Sequence, residues 1–433
     1  LQSGEQANVG IRILVVGGGG REHAVVWKLS QSARVDAVLC TPGNPGIAAI
    51  AECASVPVTD LDGIVDLAVA SRVDLVVVGP EDPLAAGLAD KLIAAGIPVA
   101  GPSAAAARIE ASKSFAKEVM AAAGVPTAQS RTVTTRADGL AAIRAIGGSG
   151  PVVVKADGLA AGKGVVVAAT PEEAARALDA FLIDRTMGEA GASVVIEAFL
   201  EGQEVSILSL TDGTTIYPLA PSCDYKRAFE GDAGPNTGGM GVYTPTRLMS
   251  ADQLADIQRT ILQPTIDGMA RRGTPMRGIL YAGLIMTPAG PQVLEFNARF
   301  GDPETQVVLP TMDGDLGVLL EAVARGTLAD VPAPTFAGAA VGVVLASAGY
   351  PASYPTGLPI EGLDAGDDDR TLVFHAGTKR EDSGQIVTSG GRVLTVVGLG
   401  DDLAAARDRA YARAERITFD GRYLRRDIAA REI

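Results

Sequence analysis

Apolar and polar positions in this chain follow two rhythms, and the first begins at residue 11. The segment IRILVVGGGGREHAVVWKLS is an apolar run rich in β-branched residues, then glycines, then apolar positions at Ala24, Val25 and Leu29 with helical spacing. This predicts strand, turn and helix. The pattern recurs as VDAVLC at 35–40, as DLVVVG at 74–79 with a helix through Leu84 to Ala95, and as IPVAG at 97–101. Wholly apolar strands alternating with helices call for a parallel sheet covered on both faces, so 11–111 is expected to be a doubly wound domain.

The rhythm changes after a helix expected at about 112–123. PVVVKADGLAAGKGVVVAAT holds two apolar runs, 151–155 and 164–169, whose glycine-rich link is too short for a helical crossover, so they predict an antiparallel hairpin. A helix (PEEAARALDAFLID), a strand (SVVIEAFL) and strands through Leu210 and Ile216 follow. A long helix at about 251–272, the strands GILYAGLIM and PQVLEFN, and a helix near 315–325 complete an α+β region. VPAPTFAG at 331–338 reads as a linker. Beyond it AVGVVLASAGYP, LVFHAGTK, VTSGGRVLTVVGLG and a helix at 401–416 predict a smaller α+β domain.

Composition narrows the function classes. With 433 residues, the chain is long enough for two to four domains with real cores. A net charge of -14 repels polyanions, and no basic patch offsets it, which argues against nucleic-acid and acidic-membrane partners. Cys40, Cys53 and Cys223 form neither a disulfide framework nor a CxxC pair, as fits a reducing cytoplasm. No run long and apolar enough for a membrane span occurs, and no signal peptide is read before the first strand. Residues 1–10 lack periodicity and read as a tag remnant or frayed terminus.

Four segments carry candidate chemistry. Glycines 17–20 end a strand and open a helix, which suits either a phosphate or a structural turn; His23 faces that place or serves as a helix-cap residue. A nicotinamide dinucleotide site would want an acidic residue where Cys40, Thr41 and Pro42 stand. In DGLAAGKGV, 157–165, the spacing departs from a P-loop, yet a flexible glycine-rich hairpin with Lys163 can fold over phosphates. Lys155 sits among apolar neighbours, where a lysine is costly unless it meets an anion. In VLEFNARFGDPETQ, strand alternation puts Glu295 and Asn297 on one face above an apolar layer, offering paired oxygen ligands for Mg²⁺ or simply a polar face. The segment at 224–245 is glycine-dense without apolar periodicity and is expected to be a long functional loop. With only His23 and His375, a histidine-based zinc site is not expected, and His375 reads as a satisfied strand residue.

In this order, GGGGREHA, PGNPG, VGPEDPL, SKSFAKE, VVKADGLAAGKGV, GPNTGGMG, EFNARFGDPETQ, VFHAGTK and GGRVL resemble the phosphoribosylamine-glycine ligase family of the ATP-grasp superfamily, from Ile11 to Ile428. The resemblance implies a multidomain α/β and α+β protein. Its parts are a Rossmann-like N-terminal domain at 11–111, an ATP-grasp core at 112–330 with a mobile lid at about 127–197, and a small C-terminal α+β domain at 331–433. It implies ATP with Mg²⁺ or Mn²⁺, and glycine and 5-phosphoribosylamine as substrates, in a cytoplasmic monomer with transient contact to neighbouring purine-pathway enzymes.

By the same resemblance, Lys113 and Lys155 contact the nucleotide phosphates under a hairpin that includes Gly162, Lys163 and Gly164. Glu197, Phe199 and Leu200 hold adenine, and Glu204 the ribose hydroxyls. Glu295 and Asn297 are the metal ligands. Arg299, Gly238 and Gly239 lie around glycine and the acyl phosphate, with Lys155 and Arg299 catalytic, while Gly19, Arg21 and Asn44 lie nearer the phosphoribosyl group. The chain departs from the family pattern at Gly18, where Asn is frequent, at Tyr225, where His is frequent, and at Ala298, where Cys is common. The implied chemistry passes through glycyl phosphate. Rival expectations are an ATP-grasp ligase with another acceptor, a nicotinamide-dependent oxidoreductase and a non-catalytic nucleotide sensor.

Overall fold

The computed structural model describes residues 10–160, 164–364 and 369–433. Its first layer is a five-stranded parallel sheet in the order Glu52–Cys53, Val35–Pro42, Ile11–Gly17, Leu75–Val78, Val99–Ala100. Ile13, Leu14, Val15 and Val16 are all almost fully buried, as a strand covered on both faces requires. The order reverses beside Ile11–Gly17, which places the glycine run at the carboxyl end of the sheet, where such folds open a crevice. The single helix expected through Leu84 to Ala95 is two, Glu81–Ala85 and Leu88–Ala94. Gly87 separates them with φ +90°, a conformation that ends one helix and redirects the chain.

Residues 130–198 build a four-stranded antiparallel sheet in the order Ser130–Val133, Val194–Ala198, Val152–Ala156, Val165–Ala168. The two expected hairpin strands pair with Lys155 opposite Val165. Helices Arg136–Gly147 and Pro171–Leu182 pack on this sheet and close a separate core around Val152, Val154, Leu178, Phe181 and Ile196. A second antiparallel sheet follows the order Ile216–Pro218, Gln203–Asp212, Arg277–Thr287, Gly290–Asn297. The two sheets are tied where the Val293 N–H donates to the Pro126 carbonyl at 2.9 Å and the Thr127 hydroxyl donates to the Val293 carbonyl at 2.7 Å.

Three local expectations change. The helix at 251–272 contains a wider turn at Gln258–Leu262 between Ala251–Ile257 and Gln263–Arg271; Pro264 follows it and has no N–H for the helical ladder. The 224–245 segment is not an unstructured loop. It contributes the short strands Cys223–Asp224, Arg227–Phe229, Ala233–Asn236 and Gly241–Thr244. Part of the expected linker, Thr335–Phe336, pairs with Met312–Asp313, and an unforeseen helix occupies Thr305–Thr311.

The last sheet has the order Cys223–Asp224, Gly241–Thr244, Ala339–Ala346, Arg392–Gly400, Thr371–His375, with helix Leu403–Ala414 packed on it. It therefore draws strands from both sides of the 331–338 segment, and brings the 223–244 chain against the C-terminal residues. Among the described residues no helix is long and apolar enough to cross a membrane.

Candidate functional site

A cavity of about 550 Å³ lies between the two antiparallel sheets, with the Lys113–Ala123 helix on one side and Arg392 on the other. Lys155 enters it from a strand and is 6% exposed. Its ammonium donates to the Leu294 carbonyl at 3.0 Å and pairs with Glu197 at 3.0 Å. Glu197 also pairs with Lys117 at 3.2 Å, so one carboxylate anchors two lysines. Lys113 opens its helix, which Ser112 caps, and donates to the Gly158 carbonyl at 2.9 Å. Burial pushes the Lys113 and Lys117 ammonium groups below their ordinary value; Glu295 offsets this for Lys113 and Glu197 for Lys117. Lys113 makes no ion pair among the described residues, which leaves its charge available to an anion.

The hairpin root is tied to the same helix. Asp157 accepts the Ser114 N–H at 3.0 Å and the Ser112 hydroxyl at 3.1 Å. Gly164 lines the cavity beyond it, whereas Gly162 and Lys163 lie outside the described residues.

Glu295 and Asn297 both reach the cavity wall, as strand alternation predicts. The strand is bulged, because Gly283 pairs with Glu295 while Leu284 pairs with Val293. Leu294 is the extra residue, which interrupts simple alternation; it lines the cavity and its carbonyl receives Lys155. Among the described residues no three His, Cys, Asp or Glu side chains form a metal cluster. Two neighbouring oxygen donors nonetheless fit Mg²⁺ or Mn²⁺, which is held by few protein groups when phosphates supply the rest.

Arg299 is clamped rather than free. It meets Glu81 at 3.1 Å and Glu110 at 3.1 Å, and donates to the Phe300 carbonyl at 3.1 Å. Burial opposes its charge, but Glu110 and Glu81 outweigh that and raise it. The two partners respond differently: burial raises Glu110, while for Glu81 the pull of Arg299 and Arg21 overcomes burial and lowers it. Glu110 is the more enclosed, with a side chain 7% exposed against 29% for Glu81, so the split follows desolvation.

Phe199, Leu200 and Glu204 line the opposite wall. Glu204 forms an ion pair with Lys226, which lowers it, and Lys226 also faces Asp224 at 3.7 Å. Gly238 lines the cavity and its N–H donates to the Tyr350 hydroxyl at 3.0 Å. Gly239 has φ +110°, and a Cβ there would stand 2.5 Å from the Pro303 ring, so only glycine fits.

The remaining residues of the set, Gly19, Arg21 and Asn44, are not part of the cavity lining. Gly19 N–H already donates to Glu22 at 2.7 Å, so the helix start is capped by its own side chain. Arg21 pairs with Glu22 at 2.6 Å and donates to the Phe300 carbonyl at 3.2 Å, next to Arg299. The Asn44 amide donates to the Gly18 and His375 carbonyls at 2.9 and 2.8 Å, while its oxygen accepts the Gly46 and Ile47 N–H groups. Every polar atom of its side chain is thereby engaged in joining the first layer to the C-terminal one. His23 does not face the site; its Nδ1 accepts the His375 N–H.

Sequence patterns passed over Lys117, Glu81, Glu110, Lys226, Asp302, Glu304 and Arg392, all of which line the cavity. Lys226 and Glu304 lie inside segments already singled out, but nothing local distinguishes them from surface charges. A larger groove of about 940 Å³ runs between Val165–Ala168 and the Tyr350 and Tyr423 loops. Its described lining has no lysine or carboxylate, so the charged cavity is the candidate site.

The chain also has relatives among known proteins. The phosphoribosylglycinamide synthetase family matches in three parts: its N domain over residues 11–110, its ATP-grasp (A) domain over 111–305 and its C domain over 340–431. The chain is 52% identical to a phosphoribosylamine--glycine ligase of Streptomyces coelicolor, covering 97% of this chain and 99% of that one. It is 48% identical to the trifunctional purine biosynthetic protein adenosine-3 of Gallus gallus, covering 98% of this chain and 42% of that protein. The crystal structure of phosphoribosylamine--glycine ligase from Thermotoga maritima superposes with a TM-score of 0.84 at 33% identity, covering 97% and 100% of the two chains.

Proposed function

This chain belongs to the phosphoribosylglycinamide synthetase family, and from that premise we propose that its charged cavity joins glycine to 5-phosphoribosylamine. The products are glycinamide ribonucleotide, ADP and phosphate, in purine biosynthesis. The observation that carries the reading is the convergence of Lys113 and Lys155 with Glu295 and Asn297 on one cavity.

A carboxylate does not acylate an amine in water, so glycine's carboxyl must first be activated. One of its oxygens attacks the γ-phosphorus of ATP, the bond to the β-phosphate oxygen breaks, and glycyl phosphate and ADP result. The amine nitrogen of phosphoribosylamine then attacks the acyl carbon. Phosphate leaves from the tetrahedral intermediate and the nitrogen gives up a proton. Phosphoryl transfer asks mainly for positioning and charge neutralisation. Lys113 and Lys155 supply charge for the phosphates, and Gly164 of the hairpin lies along the same cavity. Glu197, Phe199 and Leu200 form the adenine wall through their backbone groups. Glu204 takes the ribose hydroxyls, with Lys226 beside it. Glu295 and Asn297 would hold Mg²⁺ or Mn²⁺, which neutralises phosphate charge. Arg299, fixed by Glu81 and Glu110, presents its remaining donors near glycine with Gly238 and Gly239. The phosphoribosyl group lies toward Gly19, Arg21 and Asn44. The free thiols of Cys40, Cys53 and Cys223 support a reducing, cytoplasmic setting, and we assign a monomer that meets neighbouring pathway enzymes transiently.

The test is ADP release with ATP, glycine and freshly generated phosphoribosylamine, each omitted in turn. Release that needs both substrates supports the reading, and release that ignores glycine overturns it. With ¹⁸O-labelled glycine carboxylate, label appears in the released phosphate; unlabelled phosphate excludes the acyl phosphate.

A further inference from the structure

We propose that Arg425, which lies outside the cavity lining, is a positioning residue for the nucleotide ribose: it clamps the hairpin that holds Lys226 against Glu204. The proposal rests on the assignment of Glu204 to the ribose hydroxyls and deepens it.

The link begins with the directions in which three consecutive residues face. Asp224 and Lys226 line the cavity and Tyr225 between them does not, as the alternating side chains of an extended segment require. Lys226 forms an ion pair with Glu204. Among the described residues it is the one side chain that hydrogen-bonds Glu204, and its charge lowers the Glu204 carboxyl. The Glu204 side chain is 45% exposed, so the ammonium rather than close packing orients it. The backbone of Lys226 is pinned in turn, because its carbonyl accepts the Thr237 N–H at 2.7 Å and the Thr237 hydroxyl at 2.9 Å.

Arg425 holds the same segment from its other side. Its guanidinium lies over the Tyr225 ring, 4.7 Å from the ring centre, and donates to the Arg227 carbonyl at 2.9 Å. Those two residues flank Lys226. The guanidinium also meets Asp232 at 3.0 Å, at the tip of the hairpin formed by Arg227–Phe229 and Ala233–Asn236. Asp427 accepts two hydrogen bonds from Arg425, at 2.8 and 2.6 Å, and one from the Gly231 N–H at 2.9 Å. Arg425 is fully buried, so a shorter or differently shaped side chain leaves acceptors without a donor. A planar guanidinium serves ring, carbonyl and both carboxylates together, which a lysine ammonium cannot do.

The experiment measures the preference for ATP over 2′-deoxy-ATP and 3′-deoxy-ATP in the nucleoside-diphosphate release assay with glycine and phosphoribosylamine. In Arg425→Lys, which keeps the charge and loses the fork, KM for ATP rises roughly 3- to 10-fold. The preference for ATP over at least one deoxy analogue falls by a similar factor. If Arg425 only stabilises the fold, Tm falls while KM and the preference stay as in the unmodified protein, and that outcome overturns the proposal. Asp232→Asn provides a second variant, because its side chain is 52% exposed and its left-handed backbone, φ +53°, suits asparagine equally. There the same two quantities shift in the same direction by roughly 2- to 5-fold, and an unchanged preference overturns the proposal even if Arg425→Lys does not fold. Glu204→Gln is the reference variant. A preference that it lowers and the clamp variants leave alone overturns the positioning role only; a preference that it leaves unchanged overturns the ribose assignment and the proposal with it.

Discussion

The backbone N–H of His375 donates to Nδ1 of His23 across 2.8 Å, joining the first helix of the chain to a strand near its other end. Nδ1 must be unprotonated to accept that bond, and the ring of His375 lies 5.8 Å away. Burial lowers His23 to about 3, helped by His375, and burial lowers His375 to about 4, helped by Arg380.

Acid sensitivity follows from this pair. The folded protein keeps both imidazoles neutral, whereas the unfolded chain protonates them below about 6.5. Stability contributed by the pair is therefore complete above pH 6.5 and declines as pH falls toward 4 and then 3. Each histidine costs about 1.4 kcal/mol per pH unit within that window. Thermal unfolding followed between pH 7.5 and 5.5, above most carboxylate titration, is expected to show Tm falling below 6.5. A flat profile contradicts the neutral pair.

Lys113 and Glu197 separate binding from stability. Lys113→Ala removes an ammonium that has no ion partner among the described residues and is disfavoured by burial, so Tm is unchanged or higher while affinity for an ATP analogue falls roughly tenfold or more. Glu197→Gln leaves Lys117 and Lys155 without their shared carboxylate and lowers stability by about 3–5 kcal/mol. Calorimetric titration and urea unfolding of the two variants measure the contrast.

Removing the carboxylate at Glu295 should abolish ADP formation and leave folding intact. Glu295→Ala takes away a proposed metal ligand that has no ion partner among the described residues. Circular dichroism is expected to match the unmodified chain, and turnover to vanish at metal concentrations that saturate the unmodified enzyme. Unchanged turnover removes Glu295 from the metal site.

Arg299→Ala strands Glu81 and Glu110 together in an enclosed space. Leaving buried charge uncompensated costs about 3–5 kcal/mol. Adding Glu110→Gln to the same variant recovers part of that loss, because burial already pushes Glu110 toward its protonated form. A double-mutant cycle read by urea unfolding checks the coupling.

Much of the site was legible where its signal was local. Lys155 stands out as a lysine inside VVVK, and Glu295 and Asn297 share a face because strand side chains alternate. The bulge at Leu294 was not legible: it arises from pairing with the neighbouring strand, and the surrounding residues are ordinary strand formers. The break at Gly87 had a cue in the glycine itself, but the apolar spacing around it ran on as one helix.

What the sequence determined alone is what backbone geometry imposes over a few residues: strand and helix periods, the buried faces, the hairpin and the family motifs. Tertiary structure alone decided which charges meet. Arg299 finds Glu81 218 positions away, Lys155 reaches Leu294 139 positions away, and Asn44 engages His375 across 331. Side-chain periodicity decays within a turn or a strand, whereas an ion pair depends on which distant segments pack together to exclude water. For that reason the chain announced its lysines and carboxylates but withheld their partners.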